Sequence, residues 1–499
     1  METIKNEQYE NEALKKARRE LAGKSCAVIG VGISNLPLIR FLTESGAVVT
    51  ARDRKPKEEL FKNKSIAALE SEGVRFICGE EYLDRLNEKI LFKTPGLRFD
   101  HPALKKAHDD GARITSEMEL FLTLCPARIF AVTGSDGKTT TTTLIAKMLE
   151  AAGFTVHLGG NIGRPLLYDL PQILPSHMVV LELSSFQLHS LCAFGEDDGT
   201  LRFPDVAVIT NVSPNHLDWH SSYEEYMMSK KAIYTHLREN GKLVTNAGNA
   251  ITATFAEEEA EKGVKVRLFS AKDPGADYYA DEYTIYKDGL PVLSREDILL
   301  PGTHNVENYM AAMAATESFV PLESVKEVAR TFGGVEHRLE FCGEIDGVSY
   351  YNSSIDSSPS RSIAAITSFP ESDRKHLILI MGGYDKHIPY APIGDPVCKT
   401  AKAVFLCGAT ADKIREAIEK SRFYGEDTEI FSCESFRDAV EGAAKFAERG
   451  DKVILTPASA SFDLFRNFEE RGKTFKDLVK ELSHACGAPT VSIAAKYEF

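Results

Sequence analysis

The segment TGSDGKTT (133–140) carries the residue types best suited to chemistry. Gly134 and Gly137 free the backbone to bring N–H groups against phosphate oxygens, and a helix opening after them adds partial positive charge. Lys138 is placed to reach the outer phosphates of a nucleotide, and the Thr139 hydroxyl to ligate Mg2+. The loop is shorter than the usual GxxxxGK[ST], because Val132 stands five residues before Gly137. Phosphate chemistry also needs carboxylates for the metal. Glu182 ends the apolar run MVVLEL (178–183), at the edge where open α/β sheets place ligands. His216 and Asp218 lie in TNVSPNHLDWH (210–220), behind another buried-type strand. A lone histidine is more often structural than a ligand, but this one falls at the same expected edge. Near the start of the chain, VIGVGISN (28–35) follows an apolar run, and Asp53 closes the next one. Gly30 and Gly32 open a dinucleotide fingerprint, but Asn35 stands where its third glycine belongs. The pattern fits a diphosphate or nucleotide at a helix N-terminus; NAD is one candidate, and a tight turn without a ligand is another.

Three segments of alternating strand and helix must position these residues. The first contains CAVIG (26–30), the helix SNLPLIRFLTESG (34–46) and AVVTARD (47–53). The second starts near Ala127. RIFAV (128–132) leads through the glycine loop into a helix stopped at Gly153, and MVVLEL, DVAVIT (205–210) and KLVT (242–245) follow. The third starts near Gly333 or Gly334, with HLILIM (376–381), AVFLC (403–407), DKVILT (451–456) and a last helix FKDLVKELSHA (475–485). The period switches between continuous apolar runs and 3.6 residues, which predicts α/β architecture with mainly parallel sheets flanked by helices. The expected division is 1–126, 127–333 and 334–499. The acidic stretch EEEAEK (257–262) reads as a solvated helix face.

Composition narrows the function classes. The chain has 499 residues, enough for two to four domains. Hydrophobic residues are 43% and charged residues 26%, which excludes a disordered or fibrous chain. No apolar run reaches the roughly 20 residues of a membrane span, and the polar N-terminus lacks a signal-peptide core. Nine cysteines without a CxxC pair point to a reduced, cytoplasmic setting and away from a thiolate zinc site. A net charge of −14 disfavours nucleic acid as a partner. Any anionic ligand then needs a locally positive site or a metal. A monomer without membrane partners is expected.

Ten motifs in order resemble the Mur ligase family, the ATP-dependent amide ligases of peptidoglycan precursor synthesis. They are VIGVGISN (28–35), KTPGL (93–97), TGSDGKTTT (133–141), GNIG (160–163), ELSSFQL (182–188), NVSPNHLD (211–218), LPGTHNVEN (300–308), EHRLE (336–340), GGYDK (382–386) and TPASASFDLFRNFEERG (456–472). The resemblance implies Rossmann-like N- and C-terminal domains around a central ATPase domain of P-loop type. The first would bind the UDP part of the substrate through Gly32, Ser34, Asn35 and Asp53. The second would hold ATP with Gly134, Ser135, Asp136, Gly137, Lys138, Thr139 and Thr140, joined by Asn308 and Arg338. Two Mg2+ ions would be held by Thr139, Glu182, His216 and Lys230, the last carbamylated. Lys138, His216 and Lys230 are thus the implied catalytic set. Asn161 would meet the muramoyl part or a metal-bound water, and Ser185 would contact the substrate. GGYDK and the last motif point to the member that adds D-glutamate to UDP-N-acetylmuramoyl-L-alanine, with Lys386, Ser461, Phe462 and Phe468 receiving the amino acid and a closing third domain excluding water.

The chain departs from the family pattern at three places. Ser353 replaces a carboxylate expected at the ATP ribose, Ile355 replaces a lysine, and Asn215 replaces an acid before the histidine. Three rival readings remain at this stage: a sibling or folate-type ligase adding another amino acid, a nucleotide-binding protein without ligase activity, and an NAD-dependent oxidoreductase.

Overall fold

A computed structural model describes residues 9–32, 35–193, 203–425 and 427–485. They form two compact units. One comprises Met1–Leu293 with Glu307–Val325, and the other Ser294–Val306 with Lys326–Phe499. Three sheets are built from continuous apolar runs, as strands covered by helices on both faces require.

The first unit holds two sheets. In the smaller, the spatial order is Arg75–Cys78, Val48–Asp53, Ser25–Ile29, Ile90–Lys93 and Arg113–Thr115, all parallel. Chain order reverses between Ser25–Ile29 and Ile90–Lys93, so a crevice for a ligand opens at their C-terminal ends. In the larger sheet, Val156–Gly160, Met178–Glu182, Arg128–Thr133, Val206–Ile209, Lys242–Asn246 and Lys265–Ser270 lie side by side. All are parallel. The strand Arg128–Thr133 lies between Met178–Glu182 and Val206–Ile209; the chain adds strands first on one side of it and then on the other, so the glycine loop leaves the sheet at a switch point. One apolar cluster, including Leu38, Phe121, Leu166, Leu181 and Ile209, runs through the cores of both sheets. Among the described residues no helix is long and apolar enough to cross a membrane.

The second unit holds a sheet ordered Glu340–Ile345, Val348–Asn352, Lys452–Leu455, Leu377–Met381, Ala401–Leu406 and Glu429–Ser432. Only its first pair is antiparallel. Mixed α/β architecture with mainly parallel sheets therefore matches the sequence expectation. Two local expectations need correction. The last helix begins at Phe468 rather than Phe475, because Asn467 Oδ1 accepts from the Glu470 N–H at 2.8 Å and two glutamates occupy the first turn, both favourable at a helix start. The helix Ala250–Glu261 does not expose all its acids: Glu259 is buried and accepts from Lys262 at 2.6 Å.

Candidate active site

The strand Arg128–Thr133 delivers the glycine loop, and the helix Lys138–Ala151 leaves it. Gly134 and Gly137 adopt φ of +152° and +76°. A Cβ on Gly134 would sit 1.9 Å from Thr210 Oγ1, and one on Gly137 2.4 Å from Asn308 Oδ1. Only glycine satisfies both the backbone conformation and the packing. The end of the neighbouring strand braces the loop: the Ser135 N–H donates to Asn211 O at 2.9 Å, and the Asp136 N–H to Asn211 Oδ1 at 3.0 Å. Lys138 Nζ folds over the loop and donates to Gly134 O and Ser135 O at 2.9 and 3.0 Å. Its ammonium is therefore held where an outer phosphate of a nucleotide bound on the loop would meet it. Asn308 accepts from the Thr141 hydroxyl at 3.1 Å, which fixes it behind the loop.

Lys230 lies on the helix Tyr223–Thr235, capped by Ser222. A lysine on such a helix is ordinarily solvated, but this one is only 2% exposed. Its Nζ donates to Gly134 O at 2.7 Å and lies 4.7 Å from the Tyr226 ring centre. Burial first, and the neighbouring Lys138 charge second, push its ammonium well below the ordinary lysine range. The shift favours the neutral amine, the nucleophilic form. Lys231 pairs instead with Glu258. The Tyr226 hydroxyl meets Ser135 Oγ at 2.7 Å, so one helix supports both the loop and the lysine.

Glu182 is 2% exposed. Its Oε1 accepts from Asn161 Nδ2 at 2.8 Å, while Oε2 is buried without a hydrogen-bond partner. An orphaned carboxylate oxygen in the interior costs free energy unless a cation or donor meets it. That donor set fits a hard divalent ion. Gly160 holds φ of +97°, and a Cβ there would strike Glu182 O at 2.2 Å, so Asn161 is tied to Glu182 through backbone and side chain alike. His216 adopts φ of +54° and packs on Phe186 with ring centres 4.9 Å apart. Partial burial pushes its pKa down; Asp218 opposes this and the Lys138 charge adds to it. A neutral imidazole is the form that ligates a metal. Among the described residues no three His, Cys, Asp or Glu side chains gather for one ion. Metal ligands beyond Thr139, Glu182 and His216 would have to come from phosphate oxygens, water or a modified Lys230.

Other residues marked in the sequence fall elsewhere. Asp53 accepts from the Val31 N–H at 2.6 Å and the Lys55 N–H at 2.8 Å, shaping the turn that contains Gly32. Asn35 is buried, and its Nδ2 donates to Gly30 O at 2.8 Å. Ser34 lies outside the described residues. Ser185 is buried against His220 Nε2 at 3.0 Å. In the second unit, Lys386 donates to Ser357 O at 3.3 Å. Ser461 is buried, whereas Phe462 is 63% exposed and meets Tyr384 edge-on. Phe468 O accepts from Ser354 Oγ at 2.8 Å. Arg338 sits in the turn closed by its bridge to Val335. At the departures, Ser353 Oγ accepts from the Leu339 N–H at 3.1 Å, and the nearby Asp356 is buried against the Thr456 hydroxyl at 3.0 Å. Sequence reasoning missed Tyr226, Asn211, Trp219, Arg98 and Glu225. Asn211 and Trp219 lie in a stretch already marked for His216; nothing local singles out the others.

Comparison with known proteins accounts for all three sheets. Residues 24–116 match the Mur ligase MurD-like N-terminal domain, 132–316 the Mur ligase middle domain, and 337–459 the Mur ligase glutamate ligase domain. The chain belongs to the Mur ligase family. It is 45% identical over 480 residues to UDP-N-acetylmuramoylalanine–D-glutamate ligase of Ruminiclostridium cellulolyticum, covering 95% of this chain and 100% of that one. Identity to the enzyme of the same name from Acetivibrio thermocellus is also 45%, covering 95% and 99%. The solved Mur ligases show the shared fold at lower identity. MurC of Thermotoga maritima aligns with a TM-score of 0.54 at 17% identity over 92% of this chain and 100% of that one. MurF of the same organism, solved with ADP, aligns with a TM-score of 0.52 at 16% identity over 92% and 96%. As a family member the chain is an ATP-dependent ligase.

Proposed function

We propose that this protein joins D-glutamate to UDP-N-acetylmuramoyl-L-alanine through an acyl phosphate, a cytoplasmic step of peptidoglycan precursor synthesis. One observation carries the chemistry: the glycine loop, Lys138, the orphaned Glu182 oxygen, His216 and the buried Lys230 converge at one edge of the central sheet. The relatives named for D-glutamate support the choice of amino acid. The division into 1–126 for the nucleotide-sugar, 127–333 for ATP and 334–499 for the amino acid belongs to the same reading.

A carboxylate is a poor electrophile because its leaving group is poor. Transfer of the γ-phosphoryl group of ATP to the L-alanine carboxylate creates a good leaving group. Attack by the D-glutamate amine then forms the amide bond and expels phosphate. Phosphoryl transfer needs positioning and charge neutralisation above all. Backbone N–H groups of the loop glycines and the helix start would meet the phosphates, while those of Ser135 and Asp136 stay on Asn211, and Lys138 would exchange its loop carbonyls for phosphate oxygens. Mg2+, held by Thr139, Glu182 and His216, would neutralise charge on the transferred group. Asn161 holds Glu182 in place. The Lys230 amine, in its neutral form, is set to add carbon dioxide with release of a proton, which leaves a carbamate as an anionic ligand. In the second unit, Lys386 and Ser461 offer a cation and a hydroxyl to the carboxylates of D-glutamate, flanked by Phe462 and Phe468.

The test is phosphate release from ATP by the purified chain with UDP-N-acetylmuramoyl-L-alanine and a panel of amino acids. D-Glutamate alone should stimulate it. Stimulation by L-alanine or a diamino acid in its place would reassign the protein to a sibling activity.

A further inference from the structure

We propose that Arg98 is a positioning residue. Through Trp219 and Glu225 it couples the turn that follows the strand Ile90–Lys93 to the loop and helix bearing His216 and Lys230. The inference rests on the function proposed above, in which residues 1–126 take the nucleotide-sugar and His216 and Lys230 serve the metal; the turn follows the strand Ile90–Lys93 at the switch point of the sheet in that segment.

The turn Thr94–Asp100 leaves the first sheet beside its switch point. Arg98 commits every N–H of its guanidinium there. Nε and Nη2 donate to Asp100 at 2.9 and 2.8 Å. Nη2 and Nη1 grip the two oxygens of Glu225 at 2.8 and 3.0 Å, and Nη1 also reaches Trp219 O at 3.0 Å. The guanidinium lies 5.1 Å from the Trp219 ring centre. Trp219 is held from the other side as well, because its Nε1 donates to Gly96 O at 3.0 Å. The tryptophan is thus bound by the turn through backbone, side chain and ring.

Both far ends of this contact lead to the catalytic cluster. Phe186 packs on Trp219 at 4.6 Å and on His216 at 4.9 Å between ring centres. Glu225 sits in the first turn of the helix that carries Lys230. It accepts the Ser221 N–H at 2.6 Å and meets His189 Nε2 at 3.2 Å. The Arg98 hydrogen bonds hold the Glu225 carboxyl far below the usual carboxylate range, so the pair stays charged at any working pH. A planar fork shared between two carboxylates and a carbonyl fixes angle as well as distance, which a flexible ammonium cannot do. A ligand that moves Gly96 or Arg98 must therefore move Trp219 and Glu225 too. Occupancy of the turn and the geometry around His216 and Lys230 then bias one another, and such linkage is reciprocal.

Trp219 is the one tryptophan of the chain, so its emission reads the joint without a label. The experiment uses the full chain with ADP present and Mn2+ in place of Mg2+. UDP-N-acetylmuramoyl-L-alanine is titrated with and without Mn2+, and Mn2+ with and without the substrate, the metal being followed by electron paramagnetic resonance. In the natural protein each ligand should tighten the other by about fivefold or more, and the substrate should shift the Trp219 emission. In Arg98→Met the mutual effect should vanish, while each ligand alone binds within about twofold of normal and the melting temperature is kept. Arg98→Lys should recover only part of the coupling, and Trp219→Phe, which keeps a ring but loses the bond to Gly96, should lose most of it. Full coupling in Arg98→Met, or equal weakening of both ligands with coupling intact, overturns the proposal. So does a natural protein that binds both ligands independently, which leaves the proposed function standing. A natural protein that binds no UDP-sugar removes the function and this inference together.

Discussion

At the scale of single residues, Lys230 shows how burial converts an ordinary side chain into a reagent. Its neighbour Lys231 keeps a carboxylate partner, and Lys230 has a carbonyl and an aromatic face instead. Desolvation disfavours the charged form. The neutral amine that results is the species that adds carbon dioxide. Carbamate formation releases protons, so the modification must be lost as pH falls. With isotope-labelled bicarbonate, the natural protein should show a carbamate carbon signal that fades on acidification. Lys230→Met should lack the signal and lose ligation by about a thousandfold or more, the scale of one electrostatic group at a transition state. A natural protein with full activity and no carbamate signal would contradict this account.

At the scale of elements, the glycine loop and the long C-terminal helix solve the same problem differently. The loop depends on backbone that only glycine adopts. Gly137→Ala should force alanine into a left-handed conformation, costing about 1–2 kcal/mol, and push Asn308 off Thr141. The KM for ATP should rise roughly tenfold, while the KM for the UDP-sugar stays near normal; steady-state kinetics with each substrate varied in turn would show it. The helix Phe468–Ala485 instead plants one guanidinium among several carbonyls. Arg471 is 2% exposed. It donates to Ser354 Oγ and O at 3.0 and 2.8 Å, and to Ser459 O and Ala460 O at 3.1 Å each. The segments around 354 and 460, distant in sequence, are thereby tied to the helix that starts at Phe468. Burial pulls its pKa down to about 10, yet the guanidinium remains charged at neutral pH. That charge lies under the residues proposed to receive an amino-acid dicarboxylate.

At the scale of the molecule, three sheets fall into two compact units, and the first two sheets share one apolar cluster. Multi-unit chains seldom unfold in a single step. Calorimetry should resolve two transitions. UDP, which the proposed function places on the first sheet, should raise one of them, by linkage worth about 2.7 kcal/mol at a hundredfold excess over its Kd. A matching rise of both transitions would mean that the nucleotide binds elsewhere or that the units unfold together.

The glycine loop was legible from residues 133–140 alone, because a strand, a turn and a helix start are set by neighbours in the chain. The parallel α/β architecture was legible for the same reason, through the periodicity of apolar runs, and ten ordered motifs were enough to point to the family. Glu182 and His216 could be placed at a sheet edge, but not their surroundings. The orphaned Glu182 oxygen, the burial of Lys230 under Gly134, the Arg98–Trp219–Glu225 joint and the carbonyl cage of Arg471 all depend on groups from other segments of the chain, as far apart as Arg98 and Glu225 or Arg471 and Ser354. Burial and hydrogen-bond partnership are properties of packed space, and the chain acquires them only when the sheets and helices close on one another.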